Sequence, residues 1–223
     1  MVCVLYEDKH LICVKKPYGV LSQGNENTKS LCDDISHYLR EKGECDTVYV
    51  LHRLDKTTGG AIVYAKTKLA ASKMSTLIAE NKLRKTYLCV TEGELQTEGG
   101  TLTDLLYHDK AKNKTYVVKR ERKGVKKAEL LYNTICTGEI EGEKISLVKV
   151  ELKTGRTHQI RVQFASRRHP LVGDKKYGSK LKNDIIALWS HKLCFIHPVT
   201  KEQVCVCADP DSDIFNISDI KTE

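Results

Sequence analysis

Residues 48–67, VYVLHRLDKTTGGAIVYAKT, set two β-branched apolar runs around one polar segment that ends in Gly59-Gly60. Val, Ile and Tyr suit the pleated, half-buried surface of a strand, and a polar cluster closed by glycines interrupts it. The stretch predicts strand, loop, strand, with HRLDKTTGG (52–60) as the loop. Loops held between strands are good sites for chemistry. In this one His52-Arg53-Leu54-Asp55 puts a carboxylate next to a cation. Taken alone, those four residues fit a turn-forming or capping Asp better than a catalytic one.

Working outward, VCVLYEDKHLICVKKPYGV (2–20) predicts two strands and a turn at Pro17-Tyr18-Gly19. Residues 28–41 place Leu31, Ile35, Tyr38 and Leu39 at helical spacing, with Gly43 near the end. A second helix is predicted over 67–82, with Leu69, Met74, Leu77 and Ile78 on or near one stripe. LRKTYLCVTEG (83–93) returns to strand, and further strands are expected at 115–119, 128–136 and 145–153. After Gly155, THQIRVQFASRR predicts a helix with Thr157 as N-cap and Ile160, Phe164 and Ala165 facing inward. IIALWSHKLCFIHP and EQVCVCA add two late strands, and the acidic ending is expected to pack loosely. Many strands with interspersed helices indicate an α+β domain on a mixed, largely antiparallel sheet with flanking helices. We take residues 1–210 as one domain and 211–223 as a C-terminal tail.

The 223 residues are 40% hydrophobic and 30% charged, enough apolar content for a sizeable core and too much for wholesale disorder. Lys plus Arg total 37 against 29 Asp plus Glu, a formal charge of +8 that suits a polyanion and equally suits a merely soluble basic protein. Basic residues cluster at 110–127 and again at Arg167, Arg168, Lys175 and Lys176, which favours a phosphate-facing surface. The start has no signal-peptide apolar segment and no run approaches a membrane span, so a cytoplasmic protein with reduced cysteines is expected. Cys205 and Cys207 alternate with Val204 and Val206, one face of a strand rather than half a metal site, and no metal is expected.

Three elements together are specific. HRLDKTTGG, RKTYLCV and GRTHQIRVQFASRRHPLVGDKKYG, in this order and spacing, resemble successive motifs of the RluA-like family of pseudouridine synthases. LYEDKHLICVKKPYGVLSQ and IALWSHKLCFIHPVTKE resemble its first and last motifs, so the likeness covers roughly residues 2–208. The resemblance implies an RNA-modifying isomerase without cofactor, acting on uridines in structured ribosomal or transfer RNA. It implies Asp55 as the carboxylate that helps cleave and rebuild the glycosidic link, Arg161 as its salt-bridge partner, and Tyr87 as the tyrosine stacked on the target base. Leu188 matches the apolar residue on the base's other side. Arg53 matches the residue whose flat guanidinium fills the gap left by the extruded base, and its plainer alternative is a phosphate contact. His52, Arg156, His158 and Gln159 are expected around the substrate, the last two supporting the loop rather than transferring protons.

Two positions depart from the family pattern. Thr58-Gly59-Gly60 stands where Thr-Ser-Gly is common, and Trp189 stands where a smaller or imidazole side chain is common. No S4-like RNA-binding domain fits before Val2, so the catalytic domain is expected to bind RNA by itself, as a monomer without an obligate protein partner. Two other readings share these residues: a non-catalytic RNA-binding protein on the same fold, and an Asp-dependent hydrolase that would release free uracil.

Overall fold

The structure, a computed structural model, describes residues 2–25 and 28–217. The first half of the chain forms β1 (Cys3–Glu7), β2 (Leu11–Lys16), α1 (Leu31–Glu41), β3 (Tyr49–Val50), β4 (Gly59–Ala65), α2 (Lys68–Ala79), β5 (Arg84–Glu92) and β6 (Gly99–Asp109). The second half forms β7 (Lys114–Val118), β8 (Val125–Ile140), β9 (Glu143–Leu152), α3 (Gln159–Ala165), β10 (Leu188–Ile196) and β11 (Gln203–Cys207). This is the expected α+β class with a mixed, largely antiparallel sheet. Its contacts fall into two compact units, one of residues up to 85 with 189–210, the other of 86–188 with the described residues from 211 on.

In the first unit the strand order is β1-β2-β4-β10, with β11 beside β10 and β3 paired to β4. β4 is buried along its whole length, which is why GGAIVYA shows no polar alternation. β2 pairs antiparallel to one edge of β4 from Leu11↔Ala65 to Lys16↔Gly60. On the opposite edge, β3 meets Tyr64 and Ala65 at one end and β10 runs parallel to Gly59 and Gly60 at the other. The loop between β3 and β4 is thus tied at both ends to one rigid strand. The two glycines, expected to end the loop, are the first residues of that strand. At the start of α1, Asp33 accepts hydrogen bonds from both the backbone N–H and the hydroxyl of Ser30, each 2.8 Å long, and Leu31, Ile35 and Leu39 form the buried face. In α2 the buried residues are Ala70 and Met74, whereas Leu69 is 51% exposed, outside the stripe expected for it.

In the second unit the order is β5-β9-β8-β6-β7, with β9–β8, β8–β6 and β6–β7 antiparallel. α3 packs on β6 and β7. Phe164 meets Tyr132 edge-on at 5.6 Å, and Val162 joins Leu106 and Ala128 in the core. The N-cap of α3 is His158 in a left-handed conformation (φ 53°), not Thr157, whose carbonyl instead accepts the Thr115 hydroxyl. The acidic ending does not pack loosely as far as it is described: Phe215 and Ile217 are buried. The part of the expected tail at 218–223 lies outside the described residues.

The β10–β11 register sets Cys194 opposite Cys205 at a Cα–Cα distance of 4.3 Å, and the two form a disulfide where reduced thiols were expected. Val204 and Val206 point inward and Cys205 and Cys207 outward, the one-face alternation read from the sequence. Among the described residues no helix is long and apolar enough to cross a membrane.

Candidate active site

Asp55 sits in the β3–β4 loop, and its neighbours on both sides are fixed to the scaffold. The Leu54 N–H donates to Ser22 Oγ, and the Ser22 hydroxyl donates back to the Leu54 carbonyl, both at 3.0 Å. Ser22 is itself held by the buried Tyr64 hydroxyl, which donates to the Ser22 carbonyl at 2.7 Å. On the other side, the Lys56 carbonyl accepts the Gly19 N–H at 2.9 Å and the Lys16 ammonium at 3.4 Å. The Thr58 N–H closes the turn onto the Asp55 carbonyl at 3.0 Å. A carboxylate carried on a backbone pinned at both neighbours has little freedom to wander, which is what a reacting group needs.

Lys16 is fully buried, and its ammonium also donates to the Pro17 and Val20 carbonyls at 2.9 and 2.6 Å. Burial pulls its pKa down to about 8, and the negative charge of Asp55 acts in the opposite direction. Near neutral pH it is therefore a buried cation in the field of Asp55. Sequence reading did not single it out. The available signal was the two-residue period of any strand, which turns the adjacent lysines at 15 and 16 to opposite faces of a β2 that is otherwise buried.

His52 accepts the Val63 N–H on Nε2 at 3.4 Å. Burial, and secondarily the positive Lys85, push its pKa down to about 3. It is neutral at physiological pH and braces the loop against β4. Arg53 is exposed.

The two departures from the family pattern are one steric fact. Gly59 and Trp189 are register partners on β4 and β10, and a Cβ placed on Gly59 would lie 2.2 Å from Trp189 Cζ3 and 2.8 Å from Cε3. The indole, wholly buried, donates its N–H to the Ala208 carbonyl at 2.7 Å and cannot swing away. The ring occupies the space a serine side chain would need, so Trp189 at this position requires glycine at 59. Gly60 is needed for its own reason: its φ is +109° and a Cβ would strike the Ser190 backbone at 2.2 Å.

The second unit carries the other expected residues. Tyr87 is a buried residue of β5, and Leu188, also buried, opens β10. Arg161, on α3, is buried and forms a forked pair with the fully buried Asp174, Nε to Oδ2 at 2.6 Å and Nη2 to Oδ1 at 2.9 Å. Asp174 lies in the GDKKYG segment, yet no role was read for it. The Gln159 side chain accepts the Arg156 N–H and the Thr154 hydroxyl and donates to the Glu129 carbonyl. His158 Nδ1 lies 2.9 Å from the Tyr177 hydroxyl. Arg156 is exposed and donates from Nε to the Lys127 carbonyl.

The chain is 36% identical over 218 residues to an uncharacterized RNA pseudouridine synthase, YhcT, of Bacillus subtilis (strain 168), covering 96% of this chain and 70% of that protein. It is 30% identical to tRNA pseudouridine synthase C of Vibrio parahaemolyticus, covering 93% of this chain and 90% of that one. The solved structure of human RNA pseudouridylate synthase domain containing 1 shares the fold with a TM-score of 0.79 at 24% identity, over 96% of this chain and 86% of the other. The sequence model described as RNA pseudouridylate synthase matches residues 10–166, a span that takes in the pinned Asp55 loop, Tyr87 and Arg161, and the chain belongs to that family of RNA-modifying enzymes.

Proposed function

We propose that this enzyme converts uridine to pseudouridine within structured transfer or ribosomal RNA, with Asp55 as its catalytic carboxylate and no cofactor. The observation that carries the reading is the Asp55 loop itself: one carboxylate on a backbone held at Leu54 and Lys56, with a buried lysine in its field. Transfer RNA is the class in the name of the Vibrio relative. The reaction needs no redox partner, because it is an isomerisation. The carboxylate assists departure of uracil as the C1′–N1 bond breaks, the base rotates, and a C1′–C5 bond forms. The C5 proton is then lost and N1 is left protonated, so atoms and charge balance. Tyr87 stacks on the base, Leu188 shapes the pocket, Arg161 orients the carboxylate, and Arg53 fills the gap in the RNA stack. His52, Arg156, His158 and Gln159 hold the loops that meet the substrate.

The test is Asp55→Asn. The amide preserves shape and removes the anion, so the variant is expected to fold and bind RNA as the parent does while pseudouridine formation falls below detection. Turnover within tenfold of the parent refutes the assignment. Release of free uracil by the parent would show hydrolysis instead.

A further inference from the structure

Two basic runs about sixty positions apart in the chain meet at one cleft in the second unit. The cleft has a volume of about 530 Å³ and lies between β7, α3 and the turn at 175–177. Lys114 comes from the first run, Lys175 and Lys176 from the second, and no carboxylate is among the residues that line it. Lys176 reaches across to the Asn113 carbonyl at 3.0 Å, tying the turn to the β6–β7 hairpin. Two aromatic rings accompany the cations. Tyr116 is 37% exposed, and the Lys114 ammonium lies 5.8 Å from its ring and 5.4 Å from that of Tyr177. Cations with an accessible aromatic face and no opposing acid suit a nucleic-acid strand, whose phosphate meets the lysines and whose base stacks on the ring.

The cleft is also wired to the residues of the second unit already described. The Tyr177 ring that faces Lys114 has the Arg161 guanidinium 5.1 Å from its centre. Its hydroxyl accepts the Thr115 N–H at 2.8 Å and lies 2.9 Å from His158 Nδ1. A strand in the cleft is thereby one side chain away from Arg161.

We propose that this cleft is a second RNA subsite, holding a nucleotide of the substrate outside the target uridine, with its phosphate on Lys114, Lys175 and Lys176 and its base on Tyr116. The proposal rests on the reading of the chain as an enzyme that modifies RNA.

The test compares Lys175→Gln/Lys176→Gln and Tyr116→Ala with the parent, and with Lys68→Gln/Lys73→Gln, which removes the same charge from exposed positions on α2. The probe is total RNA from cells lacking this protein. Pseudouridine formation is followed for kcat and KM, and filter binding is followed against salt. The cleft lysine pair is expected to raise KM roughly tenfold at unchanged kcat and to flatten the log–log salt slope by about one to two. Tyr116→Ala is expected to raise KM by roughly tenfold with the slope unchanged, and Tyr116→Phe to restore it. The α2 pair is expected to stay within twofold of the parent. Parental KM and salt slope in the cleft variants, an equal loss in the α2 pair, or a fall confined to kcat each overturn the subsite. A parent that binds RNA but forms no pseudouridine would overturn the functional reading instead, while the binding arm still scores the cleft.

Discussion

Gly59→Ser restores the residue common in the family and is expected to damage this member of it. The added Cβ would stand 2.2 Å from Trp189 Cζ3 and 3.1 Å from the Lys16 carbonyl oxygen. Optimal carbon contacts lie at about 3.5–4.0 Å, so the overlap exceeds 1 Å. Trp189 is fully buried and held through its N–H by Ala208, and the Tyr18 ring packs on it at 5.3 Å. The ring cannot yield, so β4 must shift at its first residue. Overpacking of this kind costs about 1–3 kcal/mol, which for a chain of this size lowers the melting temperature by roughly 2–12 °C. With Asp55 as the proposed catalytic carboxylate, the larger effect is on catalysis, because Thr58 closes the turn onto Asp55 and β4 starts at the next residue. A displacement of about 1 Å at a reacting group costs roughly a hundredfold in rate. We expect kcat to fall by about that factor, measured as pseudouridine formed in unmodified RNA at saturating concentration. Gly59→Ser/Trp189→His, which opens the space again, should recover at least tenfold over the single variant even though the smaller ring leaves a cavity. A Gly59→Ser enzyme with parental kcat and melting temperature, or a double variant no better than the single, would refute the steric coupling.

Burial holds the Lys16 pKa at about 8 against an ordinary value of 10.5, so between those pH values the unfolded chain binds a proton that the folded chain has released. The stability of the parent relative to Lys16→Met should therefore be flat below pH 8 and rise as pH increases from 8 to 10, and urea melts showing the opposite slope would sink the argument. Arg161→Met leaves the Asp174 carboxylate buried without its forked partner and should cost about 3–5 kcal/mol in addition to its effect on turnover. Adding Asp174→Asn should return much of that stability and not the activity; a lone Arg161→Met variant as stable as the parent would contradict it. Arg53→Lys keeps the charge and loses the flat stacking surface, so binding should retain its salt dependence while activity falls on a paired target and much less on an unstructured one. Full activity on both substrates would leave Arg53 as a phosphate contact.

Where periodicity was uninterrupted, the chain alone determined the local structure. β1, β2, β4, β5, β10 and β11 are short β-branched runs bounded by turn residues, and the motif order carried the family with them. β6 was missed because Asp104 breaks the apolar series of Leu102 and Leu106. It is accommodated by Gln163 at 2.7 Å and Arg167 at 2.9 Å, about sixty residues away, which no local pattern reveals. The loop that carries Asp55 was legible between its two strands, but its anchors were not. Ser22 and Lys16 look like an ordinary polar residue and an ordinary cation until the fold brings the Leu54 and Lys56 backbone to them. The Cys194–Cys205 bond depends on a strand register, and the forked Arg161–Asp174 pair on the packing of α3 against a following loop. The departures at Gly59 and Trp189 could be seen separately in the chain. Only tertiary structure showed that they are one, because two residues 130 positions apart share a volume that can hold an indole or a serine side chain but not both.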